Sequence, residues 1–454
     1  MSAGSEPAAW RGGWRHGLTY GGLGLPLAFV ALPLYVVLPN HYAVQFGVPL
    51  ATLGALLLGA RAIDACADPW IGRLADRWFA RSTRRVLGMA LAAAVLLALG
   101  FRALFFPPQD VAQDRTLLLT WCAAMLVLTY VAYSVLSVLH QAWGARLGGD
   151  ESQRARIVSW REALALVGVL VASVLPSVAG LGAATAVFAA TLATGMALLW
   201  RAPRPHAVPP ASAAGTASDH GALMLPWRVP AFRRLLAVFL VNGIASAVPA
   251  TLVLFFIRDR LQAPASEALF LASYFAAGAL SMPLWVRLVA RVGLARAWLA
   301  GMLLAVAAFA WAATLGAGDV AAFTAVCVAS GLALGADLAL PGALLAGTVQ
   351  QAGHSGRAEG AYFGWWNFAS KLNLALAAGL ALPALSAFGY TPGSRDPAAL
   401  QALTLTYCAL PCALKLAAAA LLHWLWIRPA RPWSAPLAAN APSFTDRTKP
   451  PEPR

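Results

Sequence analysis

The chain has 454 residues, of which 60% are hydrophobic and only 11% charged, with a mean hydropathy of +0.68. Soluble domains carry about 25% charged residues, so this composition excludes an ordinary soluble enzyme and predicts a polytopic membrane protein. The formal net charge of +15 would suit nucleic acid, but the arginines gather in alternate connections between apolar runs, a topology signal that implies no such partner.

In chain order, the first 17 residues are polar and lack a cleavable leader pattern, so the first apolar run reads as an uncleaved anchor. Runs of about 20 apolar residues, the length that spans a bilayer, fall near 18–40, 48–70, 86–106, 117–143, 158–179, 181–200, 235–257, 267–289, 297–316, 319–346, 361–388 and 402–427. They predict an all-α membrane protein with twelve transmembrane helices. A Pro-, Ala- and Ser-rich connection splits them into an N-terminal six-helix half (1–200), a central loop (201–234) and a C-terminal six-helix half (235–427). The Pro-rich polar tail, 428–454, is expected to be disordered. If both termini share one side, that side receives Arg73, Arg77, Arg84, Arg146, Arg201, Arg287 and most other arginines. The opposite side keeps only Arg115, Arg258, Arg260 and Arg395. That asymmetry predicts cytoplasmic termini. The Arg-heavy, Ala-rich composition without an Asn-x-Ser/Thr acceptor leans towards a bacterial inner membrane, and the expected state is a monomer in lipid.

The second span ends in Arg61-Ala-Ile-Asp64-Ala-Cys-Ala-Asp68-Pro69. Residues three and four apart are neighbours on a helix, so Arg61, Asp64 and Asp68 share one stripe. Each charge near a bilayer centre costs roughly 2.5–3.5 kcal/mol on insertion scales, which points to an ion or substrate path. An Arg61–Asp pair that merely pins helices together would leave the second acid over. Further along, Arg161 and Glu162 open the fifth span, and an interfacial role suits them as well as a functional one. Asp337 in the tenth span reads as a proton or substrate site or as a partner to a helix kink. Lys371 in the eleventh needs a counter-charge, for which Asp64 and Asp68 are the candidates. Lys415 in the twelfth is ambiguous. Trp365 and Trp366 beside Asn367 could form a stacking platform, although packing explains such residues equally well.

Pro69-x-x-x-Arg73-Leu74-x-x-Arg77 after the second span is echoed by Pro283-x-x-x-Arg287-Leu288-x-x-Arg291 after the eighth. The echo supports two parallel repeats with a site between them, and its register puts Gly278 and Met282 opposite Asp64 and Asp68. The lysines, Lys371, Lys415 and Lys449, are followed by Leu, Leu and Pro, so no P-loop exists. The five cysteines lack metal-like spacing. Neither an enzyme nor a cofactor is argued. Energy must come from a gradient.

Arg61-x-x-Asp64-x-x-x-Asp68-Pro69-x-x-Gly72, Gly72-x-x-x-Asp76-Arg77, Arg357-x-Glu359 and Gly389-Tyr390-x-Pro392 together resemble the glycoside–pentoside–hexuronide:cation symporters of the melibiose-permease type, within the major facilitator superfamily. The resemblance implies the major facilitator fold, with Asp64 and Asp68 coordinating the coupling cation, helped by Ser134 of the pair Tyr133-Ser134 and approached by Lys371. It implies that Arg161 contacts a sugar and that Gly72, Asp76 and Arg77 form the gating loop, where Phe79 replaces a second glycine. Pro26 and Ser137 stand where the family has sugar-binding acids, and Gly347 replaces an acid late in the tenth span.

The sequence therefore predicts a cation-coupled symporter, with Na⁺ or H⁺ as the coupling ion, for a small organic solute. The resemblance points to a sugar or glycoside. Two carboxylates and the Ser134 hydroxyl supply oxygens suited to Na⁺, while a desolvated acid could instead carry a proton. The expected charge network includes Arg61 and Asp337. The substrate pocket is expected to use Arg161, Tyr133, Gln141 and Asn367, with Trp366 and Trp143 as walls. Lacking two acids, it should suit a less polar or anionic solute better than a neutral galactoside, with Arg161 receiving any negative group. The alternatives are a carrier or exporter of an amphipathic or anionic solute, and a non-transporting membrane scaffold.

Overall fold

The computed structural model describes residues 10, 13–205 and 219–428. The tail beyond 428 and the middle of the central loop lie outside the described residues, and so do the expectations made for them. All regular elements among the described residues are helical, because a helix satisfies its backbone polar groups internally where lipid cannot.

The long elements are α1 (Gly24–Leu32), α2 (Leu50–Arg81), α3 (Thr83–Phe105), α4 (Arg115–Arg146), α5 (Glu151–Arg201), α6 (Pro230–Phe255), α7 (Glu267–Val292), α8 (Leu294–Ala312), α9 (Val320–Gln351), α10 (Glu359–Ala387) and α11 (Leu410–Leu422). Among the described residues ten helices are long and apolar enough to cross a membrane. One of these, the 51-residue α5, is broken at Gly180, where φ 80° and ψ 169° suit only glycine. The break falls between the two spans expected for this stretch. The 32-residue α2 has the length to cross but is unusually charged, with Arg61, Asp64 and Asp68 along it. Pro33 and Pro39 withhold amides after α1, and the chain responds with a π-turn over Pro33–Val37. Side-chain caps start α3, α4 and α5: Ser82 accepts from Arg85 N–H at 3.1 Å, Asp114 from Leu117 at 2.8 Å and Asp150 from Gln153 at 2.7 Å.

The N-terminal half packs one core around Tyr20, Phe29, Phe101, Leu126 and Phe188. The C-terminal half packs around Trp298, Leu340 and Tyr362 and, at its other end, Phe256, Phe270 and Phe323. The halves meet through α2 and α4 against α10, and α5 against α7 and α9. Small residues let backbones approach closely in such packing. At the α2–α10 crossing, a Cβ on Gly72 would collide with the Gly360 carbonyl, and one on Gly364 would lie 2.5 Å from the Asp68 carbonyl oxygen.

Candidate functional site

Helices α1, α2, α4, α5, α9 and α10 enclose a cavity of about 390 Å³ between the halves. It is lined by Gly24, Leu27, Ala28, Arg61, Tyr133, Ser134, Ser137, His140, Gln141, Arg161, Glu162, Leu338, Asn367, Ser370 and Lys371. At one end Asp64 and Asp68 of α2, 1% and 0% exposed, stand one turn apart as the i,i+4 spacing requires. The Lys371 ammonium of α10 lies 2.6 Å from Asp64 Oδ2 and 2.7 Å from Asp68 Oδ2. Ser134 of α4 donates to Asp64 Oδ1 at 2.6 Å and accepts from Lys371 Nζ at 2.8 Å. Asp68 Oδ1 is buried without a hydrogen-bond partner among the described residues, an orphaned acceptor of the kind a bound cation satisfies. Asp64, Asp68 and Ser134 are thus the oxygens that could hold a small cation.

The Arg61–Asp pair that would merely pin helices together does not form among the described residues. Both carboxylates give their ion pairs to Lys371, and the Arg61 guanidinium lies over the rings of Tyr35 and Tyr130 at 4.1 and 5.5 Å. Aromatic faces stabilise a desolvated guanidinium, which leaves the acids to the lysine.

At the other end Arg161 of α5 donates from Nε and Nη2 to Glu162 Oε1 at 2.9 and 2.5 Å. Arg161 is therefore already neutralised, against the expectation that it waits for a negative group. Gln141 donates to Ser137 at 2.9 Å. Of the residues expected to meet substrate, Arg161, Tyr133, Gln141 and Asn367 line the cavity and the two tryptophans do not. Trp366 stacks on Phe239 at 3.8 Å between centroids. Trp143 is 1% exposed and donates to the Pro203 carbonyl at 3.0 Å. Both are packing residues, as large apolar rings in this setting usually are. Three lining cations (Arg61, Arg161, Lys371) meet three anions (Glu162, Asp64, Asp68), so the site's formal charges cancel.

Asp337 was grouped with Arg61 by sequence but belongs to a separate cluster within the C-terminal half. It is ion-paired with Lys415 and accepts from Asn242 at 3.1 Å, Trp298 at 3.0 Å and Ser246 at 3.1 Å. Lys415 also donates to Asn242 and Ser246 at 2.8 and 2.9 Å.

On the arginine-rich side the cavity is closed by a third cluster. Asp76, at the far end of α2, accepts from the Gly360 and Ala361 amides at 2.8 and 2.9 Å, the start of α10. Arg146 lies 3.0 Å from both Asp76 and Glu359, donates to the Gly356 carbonyl at 2.8 Å, and stacks on Phe79 at 4.2 Å. Phe79, the departure from the loop pattern, thus shields the guanidinium. Arg154 adds a second clasp, donating to Gln350 of α9 at 2.7 Å. Gly72 sits at the α2–α10 crossing beneath these contacts, and Arg77 is exposed. Sequence reading missed Arg146 because it looked like one more topology-setting arginine. It left Glu162 open for want of a visible partner in space.

Two packed helical halves enclosing a polar, charge-lined cavity are the architecture of a membrane transporter. The profile of the MFS/sugar transport protein family matches residues 17–428, and the chain belongs to that family: it is a multi-pass membrane transporter of the major facilitator superfamily rather than an enzyme. Similar curated proteins are the inner membrane symporter YicJ of Escherichia coli K12, 31% identical over 137 residues (30% of this chain, 28% of YicJ), and the putative glycoside/cation symporter YagG of the same organism, 30% identical over 156 residues (34% and 33%). These matches span about a third of either relative. Similar solved structures are a bacterial homologue of the iron transporter ferroportin in an outward-facing state (TM-score 0.64, 16% identity, 90% of this chain and 98% of that one) and FucP in the outward conformation (0.61, 15%, 88% and 98%).

Proposed function

We propose that the protein is a cation-coupled symporter carrying a small polyhydroxylated solute, such as a sugar or glycoside, across a bacterial inner membrane with both termini cytoplasmic. The observation that carries this reading is the Lys371 ammonium held between Asp64, Asp68 and Ser134. A covalently attached cation fills a site whose oxygens suit a small free one. Na⁺ or a proton arriving there displaces the ammonium into the cavity, where Ser370 and Asn367 lie on the same helix. Cation and solute then share one cavity, which couples their binding.

The opposite end favours hydroxyls over anions. Glu162 keeps one carboxylate oxygen clear of Arg161, since both guanidinium bonds fall on Oε1. Gln141, Ser137 and Asn367 both donate and accept, as hydroxyl groups do. Glu162 also supplies an acid that Pro26 and Ser137 lack. An anionic or amphipathic solute would have to approach that carboxylate. The reading is tested in liposomes of purified protein with an inward Na⁺ or H⁺ gradient and a panel of labelled pyranosides. Gradient-driven accumulation that disappears in Asp64→Asn and Asp68→Asn supports it. Accumulation unchanged in both variants refutes it, as does a lack of any gradient-driven uptake.

A further inference from the structure

The C-terminal half contains a second, partly open cavity of about 150 Å³, lined by α6, α7, α8, α9, α11 and the turn before α11. Its walls are aromatic. Phe270 and Phe323 meet edge to face at 4.9 Å, and Tyr407 stacks on Phe256 at 4.2 Å and lies 5.7 Å from Phe309. Asp337, Lys415 and Ser246 close one end. That end asks nothing of a ligand. The three ammonium protons of Lys415 go to Asn242, Ser246 and Asp337, and both Asp337 oxygens accept twice. A charged guest would have to break a neutral, fully bonded network, which is costly.

Two polar groups on the wall are in a different position. Tyr274 and Tyr407 line the cavity, Tyr407 only 4% exposed, and neither hydroxyl has a hydrogen-bond partner among the described residues. Both hydroxyls are therefore free to donate to or accept from a guest in the cavity. Water is a poor answer here. Every ordered water needs two to four polar partners, and between aromatic walls the two hydroxyls offer few. A single six-membered ring matches both the volume and the walls, because an apolar cavity of this size admits benzene.

We propose that this cavity is a binding site for a small uncharged ring compound bearing one hydroxyl, of the phenol or cyclohexanol class. The ring packs against Phe270, Phe309 and Phe323, and its hydroxyl exchanges hydrogen bonds with Tyr274 and Tyr407. All of its lining residues belong to the C-terminal half, and none of them lines the inter-half cavity.

The test is titration of the purified full chain with phenol, cyclohexanol and benzene, followed by ligand-observed NMR and by the shift in thermal unfolding. Saturable binding at one site in the millimolar range is expected for seven heavy atoms, with benzene about tenfold weaker for want of the hydroxyl. Tyr407→Phe should weaken phenol about three- to tenfold and leave benzene unchanged. Ala305→Leu, which fills the cavity, should abolish binding of all three. Should Ala305→Leu fail to fold, Tyr407→Phe decides alone. No saturable binding below about 10 mM, equal loss of phenol and benzene in Tyr407→Phe, or phenol binding unchanged in Ala305→Leu would each overturn the proposal.

Discussion

The Asp76 carboxylate accepts the Gly360 amide at 2.8 Å across 284 residues of chain, so a residue near the end of α2 caps the first turn of α10. A helix N-terminus attracts negative charge through its unpaired amides and dipole. Breaking this contact favours opening on the arginine-rich side. Asp76→Asn keeps the shape and removes the charge, and it should shift the closed-to-open ratio by about 1.5–3 kcal/mol, the worth of hydrogen bonds to a charged group. A cysteine at Ser370, in a chain cleared of its five native cysteines, should then react faster with reagent supplied from the arginine-rich side. An unchanged rate would show that Arg146 and Glu359 hold the closure without Asp76.

Gly364→Ala tests the same closure sterically. The added Cβ would lie 2.5 Å from the Asp68 carbonyl oxygen and 3.0 Å from Pro69 Cα, both backbone atoms that cannot step aside. Uptake should fall at least tenfold while the protein remains extractable and folded, since overpacking typically costs about 1–3 kcal/mol. Uptake at the wild-type rate would mean that α2 and α10 can separate without loss.

Lys371→Met removes the resident ammonium. If that group competes with the coupling ion, cation affinity should rise about tenfold, because the occupied fraction of the site no longer has to be vacated. Accumulation against a gradient should be lost with it. Titration calorimetry with Na⁺ decides the matter: weaker binding in Lys371→Met would show that the lysine builds the site and does not compete for it.

Because the formal charges of the cavity cancel, the empty carrier returns without electrical work, whereas the carrier loaded with a cation and a neutral solute moves one positive charge. Uptake should therefore accelerate with an inside-negative potential, by up to about 2.3 kcal/mol per 100 mV for a charge crossing the whole field. Liposomes clamped with valinomycin measure this. Indifference to potential would indicate an anionic solute.

The Asp337–Lys415 pair should behave as a buried structural pair. Lys415→Met or Asp337→Leu alone leaves an uncompensated charge and should destabilise by about 3–5 kcal/mol, whereas the double variant should lie much closer to wild type. Thermal unfolding in detergent separates these outcomes. Additive losses in the double variant would mean that the two residues act independently.

What the sequence made legible follows from periodicity. Apolar runs marked the spans, the boundary expected between 179 and 181 coincides with the break in α5 at Gly180, and the 3.6-residue repeat put Asp64 and Asp68 on one stripe before any contact was known. Which partner each charge takes was not legible, since it depends on helices far apart in the chain. Arg61 sits nearest in sequence to the acids yet rests on Tyr35 and Tyr130, while Lys371 reaches them from the other half. Asp337 found its partner on α11, a helix that sequence gave no reason to place beside it. Trp366 and Trp143 failed as pocket walls for a related reason: composition shows that a ring is present, and only packing shows where it turns.

The lysine between the two aspartates also bears on behaviour at low ion supply. A cation on a four-carbon stem is never diluted, and tethered groups meet their targets at effective concentrations of about millimolar or more. The free ion must outbid that standing presence before the cycle can start. Below such a threshold the transporter idles with its acids occupied by the lysine, and solute already gathered inside does not drain back with an ion that has no place to bind. A single side chain thereby sets the ion level at which uptake becomes worthwhile.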